Sequence, residues 1–221
     1  MKQAGKNPGQ GLFISFEGGE GSGKSTQVQK LAESLREQGF AAIVTREPGG
    51  TAGAEALRHI LLHARKFHYS PLLEAILFAA ARRDHIEQLI APALAAGQIV
   101  LCDRFMDSTR VYQGLAGKVS ANMLALLEEI AVEPYRPHIS FFLDIAAKTG
   151  MARAGGRRDL QEQADRFEKD NLKIQEQRRQ AFLKIARKEP ERCYIIDANR
   201  PAAIIAKDIL TRLGDKTGIK G

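Results

Sequence analysis

The residues best suited to chemistry lie in one short stretch, "GGEGSGKST", at positions 18–26. Gly18, Gly23, Lys24 and Ser25 fit the spacing G-x-x-x-x-G-K-[ST], with Gly19, Glu20, Gly21 and Ser22 in the variable places and Thr26 following. Glycines allow positive φ and a close approach of backbone to an anion. Successive N–H groups then point inward, beside the positive end of the helix that follows. A lysine here spans β- and γ-phosphates, and the next hydroxyl ligates Mg²⁺. The stretch therefore implies a nucleoside triphosphate with Mg²⁺, and leaves the phosphoryl acceptor open.

Other charged residues sit where an acceptor would be met. Asp103, in "IVLCDRF", closes an apolar run and is expected to hold Mg²⁺ with Ser25, directly or through water; a turn cap is the alternative. Arg104 beside it offers a phosphate ligand. Glu17 precedes the glycine-rich stretch, and a carboxylate at the end of a buried strand is costly unless paired. It is expected to anchor a metal-bound water or an arginine, or to touch an acceptor's sugar. In "TREPGGT", Pro48-Gly49-Gly50 forms a turn that presents Arg46, whose guanidinium suits a bidentate grip on a monophosphate. Phe78 and Arg82 share a helix face at i,i+4, as a stacking ring and a donor to a base, or as core.

These groups need a sheet to hold them. Apolar runs at 12–16, 41–45, 98–102, 139–143 and 193–196 predict strands. Helical periodicity predicts helices over 26–38, 53–64, 71–96, 120–132, 164–188 and 202–213, with Pro92 bending or dividing the third and "GDKTGIKG" a frayed tail. Alternating strands and helices imply right-handed crossovers and a parallel sheet covered on both faces. The chain has 221 residues, 44% hydrophobic, which suits a single domain. No apolar run approaches the ~20 residues that span a bilayer, and the N-terminus lacks a secretory signal. Cys102 and Cys193 read as buried packing residues in a reducing cytosol. The net charge of +7 suits anionic partners, phosphorylated small molecules or nucleic acid, or merely solvated helix faces.

"FISFEGGEGSGKST", "TREPGGT", "ILFAAARRDHIEQLIAPALAAGQIVLCDRFMDSTRVYQG", "ADRFE" and "IIDA" together resemble bacterial thymidylate kinases, from about residue 12 to 210. The resemblance implies one nucleoside monophosphate kinase-like domain over 1–221, a P-loop NTPase three-layer α/β/α fold with a five-stranded parallel sheet. It also implies transfer of the ATP γ-phosphate to dTMP, giving dTDP and ADP in dTTP synthesis, by a cytoplasmic, Mg²⁺-dependent homodimer that binds neither nucleic acid nor membrane. Arg46, Pro48, Arg58 and Arg104, with Glu17, then surround the dTMP phosphate and sugar. Phe78, Arg82, Ser108, Thr109 and Gln113 meet the base, and Tyr112 selects deoxyribose. Arg200, in "IDANRP", lies against adenine.

Two departures matter. The family has "AADR" where this chain has "AAAR", so Ala81 replaces an acid beside Arg82: either another acid, Asp84, is the expected substitute, or the base contacts are looser. The phosphate loop itself carries no arginine, so the lid, 146–163, is expected to supply one, as in the type II arrangement: Arg157, with Arg153 and Arg158 as neighbours. Glu17, Lys24, Arg104 and Arg157 form the expected catalytic set, with Glu176 near the metal or sugar. The alternatives are a P-loop kinase for another nucleotide or a deoxynucleoside, and a nucleic-acid-linked ATPase. A GTPase is disfavoured by the lack of an N-K-x-D guanine reader.

Overall fold

The computed structural model describes residues 11–63, 69–116, 118–156 and 171–219. In chain order they form β1 (Leu12–Glu17), α1 (Lys24–Glu37), β2 (Ala42–Arg46), α2 (Ala52–His63), α3 (Pro71–His85), a π-helical turn (Ile86–Ile90), α4 (Ala91–Ala95) and β3 (Ile99–Asp103). There follow α5 (Met106–Thr109), a second π-helical stretch (Arg110–Ala116), α6 (Ala121–Val132), β4 (Ile139–Asp144), α7 (Ala147–Gly155), α8 (Leu172–Lys188), β5 (Cys193–Asp197) and α9 (Ala202–Thr217). The strands are parallel in the order β2-β3-β1-β4-β5. With β1 central, the loop that leaves it opens at the carboxyl edge of the sheet, where ligands of such sheets gather.

Alternation along β1 sorts its side chains. Ile14 and Phe16 face α1 and α9, packing with Val28, Leu31, Leu35, Ile205, Ile209 and Leu213. Phe13 points the other way, to Ile86, Ile90, Phe105 and Met106. Ser15 and Glu17 share that second face by the same period of two. Ser15 meets Ser140 hydroxyl to hydroxyl at 2.7 Å, and Arg192 donates to Ser140 at 2.7 Å. Arg192 also grips the fully buried Asp107 at 2.8 and 2.9 Å, and Arg110 joins Asp107 to Glu128 and Glu189. This ion network fixes α5 against the end of the sheet.

The predicted long helix divides, but ahead of Pro92. The Ala91 N–H reaches back to Ile86 in a π turn, which places the proline, having no N–H, in the first turn of α4. α8 begins later than expected, at Leu172, where the Asn171 side chain accepts from the Ile174 N–H at 3.0 Å; 164–170 lie outside the described residues. The tail is not frayed through Ile219. α9 runs to Thr217, and Ile219 is buried with Leu213 in the α1–α9 core. Both cysteines are buried, as expected, and burial raises both thiols, Cys193 to about 12. Among the described residues no helix is long and apolar enough to cross a membrane.

Candidate active site

The loop between β1 and α1 is shaped by close backbone contact. At Gly21, φ is +66 and a Cβ would collide with the Gly150 carbonyl of α7, so any side chain there would push the loop off that helix. Lys24 is buried and folds over its own loop, donating to the Gly18 and Gly19 carbonyls at 3.1 and 2.9 Å. Burial, with Arg104 nearby, lowers its ammonium below the usual lysine value. Ser22 donates to Gly19, while Ser25 and Thr26 are exposed in the first turn of α1. Ser25 donates to Asp103 Oδ2 at 2.6 Å, bringing the two predicted metal ligands together. Asp103 Oδ1 is buried and accepts no hydrogen bond among the described residues. A hydroxyl and a carboxylate oxygen with an uncommitted neighbour form a donor set that suits a hard divalent cation.

Two carboxylates flank this loop with opposite character. Glu17 is fully buried and accepts from the Phe105 N–H at 2.8 Å and the Ser108 hydroxyl at 2.7 Å. Burial pushes its carboxyl up to about 8, and the Asp107 carboxylate adds to the effect. Glu20 is also largely shielded, which alone would raise it. The Arg104 guanidinium and Lys24 ammonium outweigh that and hold it at about 2. Arg104 pairs directly with Glu20, and donates to the Gly18 carbonyl at 3.1 Å and toward Ser108 at 3.4 Å. Its backbone is left-handed, φ 70, a conformation costing a non-glycine residue roughly 1 kcal/mol or more that is retained where position matters. The Tyr112 hydroxyl donates to Glu20 at 3.1 Å, and its ring lies 5.3 Å from the Arg104 guanidinium and 4.5 Å from that of Arg178.

Farther along the cleft, Arg82 is 5% exposed, as is Glu47, and its Nε donates to Glu47 Oε2 at 2.7 Å. Its guanidinium lies 5.1 Å from the Phe105 ring centroid. The acid that orients Arg82 is therefore Glu47, from the TREPGGT turn. Asp84, the expected substitute, instead holds the start of α2 through the Thr51 hydroxyl and the Ala54 N–H. The reason is geometric: Asp84 faces α2, whereas Glu47 faces α3. Arg46 is 56% exposed and pairs with Glu55 at 3.0 Å. Such a pair contributes no more than about 1 kcal/mol, so Arg46 is readily exchanged onto a phosphate. Arg58 donates to the Pro48 carbonyl at 2.8 Å and so props the turn from below. Phe78 and Thr109 are half-buried, and Gln113, nearly fully buried, donates to Glu74 at 2.6 Å.

Three further parts of the sequence reading have local partners in the structure. Arg200, just ahead of α9, donates to Asp208 of that helix at 2.7 Å and to the Asp197 carbonyl at 2.9 Å. Glu176 binds Arg179 at 3.0 Å and accepts from the Ala147 N–H at 3.4 Å, at the start of α7. The first half of the expected lid is helix α7, from which Arg153 donates to the Ala198 carbonyl at 2.9 Å. Arg157 and Arg158, with the rest of 157–163, lie outside the described residues. Glu47, His85 and Arg178 were not assigned roles by sequence. His85 lies three residues after Arg82 on the same helix face, which was the available signal. Arg178, inside a run of polar and charged residues, gave none.

Comparisons with known proteins identify the family and the fold. The family model for thymidylate kinase matches residues 16–209. A thymidylate kinase of Bartonella quintana is 57% identical over 199 residues, covering 90% of this chain and 93% of the relative. One of Bartonella henselae is 56% identical over 200 residues with the same coverage. The crystal structure of a thymidylate kinase from Ehrlichia chaffeensis superposes with a TM-score of 0.74 at 31% identity, covering 92% of this chain and 99% of that one. A phosphate loop after β1, an aspartate-arginine pair at the tip of β3 and a sequence match over most of the chain converge on one conclusion: this chain belongs to the thymidylate kinase family.

Proposed function

We infer that the protein transfers the γ-phosphoryl group of ATP to dTMP, giving dTDP and ADP. The observation that carries this reading is the position of Arg104. Its guanidinium touches the phosphate loop at Gly18 and Glu20 and the acceptor-side helix α5 at Ser108, so donor and acceptor phosphates would meet at one cation. The loop from Gly18 to Thr26 holds the donor. Ser25 and Asp103 would hold Mg²⁺, which supplies charge neutralisation on the phosphates when bound. The acceptor oxygen is already an anion and needs no base. What remains for the chain is alignment and a matched field, the effects that dominate phosphoryl transfer.

On the acceptor side Arg46 and Arg104 grip the 5′-phosphate, with the turn at Pro48 fixed by Arg58. Phe78 stacks on the base, Arg82 donates to its exocyclic oxygen with Thr109 and Gln113 nearby, and Tyr112 stands against the sugar beside Glu17 and Ser108. An arginine of the lid, Arg157, completes the field on closure. The enzyme is a cytoplasmic homodimer. Leu73 and Ile76 on α3, with Leu126 and Ile130 on α6, are exposed apolar residues on two neighbouring helices, and they supply the face for a second copy. A coupled assay of ADP release with dTMP, dUMP, dCMP, dGMP and thymidine tests the reading. Turnover highest with dTMP and negligible with thymidine supports it. Phosphorylation of thymidine at a comparable rate, or DNA-stimulated hydrolysis without acceptor, would replace it with one of the alternatives.

A further inference from the structure

His85 is fully buried at the end of α3, and both ring nitrogens are engaged. Nδ1 lies 3.1 Å from Glu47 Oε1, and Nε2 lies 2.7 Å from the Thr45 hydroxyl at the end of β2. A carboxylate only accepts, so Nδ1 carries the proton toward Glu47, while Nε2 shares a hydrogen bond with the Thr45 hydroxyl. The other oxygen of the same carboxylate, Oε2, receives Arg82 Nε. The chain Thr45–His85–Glu47–Arg82 thus joins β2, the turn after it and α3. Among the described residues, Arg82 donates no hydrogen bond from Nη1 or Nη2; the one it makes uses Nε, on the side of Glu47. Space around the relay is tight. A Cβ on Gly50 would come within 2.5 Å of the Thr45 hydroxyl oxygen and 2.6 Å of His85 Nε2.

We propose that His85 is a positioning residue for base selection: by fixing Oε1 of Glu47 it sets the carboxylate plane, and through Oε2 the direction in which the terminal nitrogens of Arg82 point. This rests on the reading that Arg82 donates to the exocyclic oxygen of thymine. A donor held there donates to the carbonyl of thymine and opposes the amino group of cytosine, so discrimination depends on how rigidly the guanidinium is held. In this chain the relay does what an acid at position 81 would do in the family pattern. Ala81 is buried and leaves no carboxylate beside Arg82 on α3, so the orienting charge comes from the turn and is itself steadied by the imidazole.

The test is the ratio of kcat/KM for dTMP to that for dCMP. The amide of asparagine can stand in for Nδ1 of histidine and that of glutamine for Nε2. His85→Gln therefore loses the tie to Glu47, and His85→Asn keeps it. His85→Gln is expected to lower the ratio roughly tenfold, mostly through KM for dTMP, with His85→Asn within about threefold of the parent. Equal ratios in both variants and the parent, or equal loss in both, would overturn the proposal, since packing alone does not distinguish the two amides. If His85→Gln is too unstable to assay, Thr45→Val, which frees Nε2, gives the same readout with a loss of about threefold, and no loss there overturns it. Arg82→Met separates the two levels. A ratio unmoved by Arg82→Met removes the base-reading role itself, whereas a collapse with Arg82→Met but not with the His85 variants removes only the relay.

Discussion

Lys24 and Arg82 are both buried cations in one cleft, yet they are held in different ways. Lys24 is caged by carbonyls of its own loop, at Gly18 and Gly19. Arg82 is held by Glu47, thirty-five positions away in sequence, with His85 and Thr45 behind it. In the proposed reading the donor side is made of backbone in a special conformation, set by a single strand-to-helix turn, and the acceptor side of side chains from β2, α3 and α5 held by the buried Arg82–Glu47 pair. Removing a residue should therefore have different consequences on the two sides: loss of chemistry without loss of structure in the loop, and loss of both in the pocket.

The largest effect is expected at Lys24. Lys24→Met should lower kcat about a thousandfold while thermal stability hardly moves, measured by steady-state kinetics beside thermal denaturation. A large drop in melting temperature there would erase the contrast. Next comes the buried pair. Glu47→Ala leaves Arg82 uncompensated and should destabilise the fold by about 3 kcal/mol, against under about 1 kcal/mol for Glu55→Ala, the exposed partner of Arg46. Urea unfolding of the two variants checks it. Gly50→Ala forces a side chain onto a residue with φ +95, pressed against Thr45 and His85. A loss of about 2 kcal/mol is expected, with a raised KM for dTMP and an unchanged KM for ATP. Gly19→Ala meets no atom within 4 Å and should change stability by under about 0.5 kcal/mol.

The two flanking carboxylates give effects that depend on pH, and they have opposite signs. Glu17 is raised in the fold from 4.5 to about 8, so its contribution is fully present below about pH 4.5 and is lost as pH rises through 8. Glu17→Gln should gain stability relative to the parent between pH 5 and pH 8. Glu20 is lowered from 4.5 to about 2, so its contribution is present above about pH 4.5 and is lost as pH falls toward 2. Glu20→Gln should be less stable than the parent at neutral pH and converge with it in acid. Melting temperatures of both variants across pH 3–9 give the comparison; parallel curves would contradict the charge assignments.

The same contrast explains what was legible in the sequence. A phosphate loop is a contiguous pattern because its ligands are neighbours in the chain, and Ser25 and Asp103 could be paired because strand ends share one edge of the sheet. The five strands emerged within a residue: β1, β3 and β4 are nearly completely buried and read as continuous apolar runs, and the half-buried edge strands β2 and β5 still carry β-branched and apolar residues between turn signals. Glu47 was visible in TREPGGT, but its partner was not, since which carboxylate faces Arg82 depends on how the turn packs on α3. The partners of Arg200 and Glu176 were hidden for the same reason: Asp208 on α9 pairs with Arg200, and Arg179 on α8 pairs with Glu176. Ile219 was read as tail because a lone isoleucine after glycine carries no periodicity, although it fills a gap beneath α9.

The central claim is that one cleft holds two nucleotides by cations that, apart from the shared Arg104, fall into two separable sets. It is tested most directly by equilibrium dissociation constants for dTMP and for a nonhydrolysable ATP analogue, measured on Lys24→Met and Arg82→Met. The account predicts a crossed result: Arg82→Met weakens dTMP at least about tenfold and leaves the analogue within about threefold, and Lys24→Met does the reverse. Equal weakening of both ligands by either variant would contradict it.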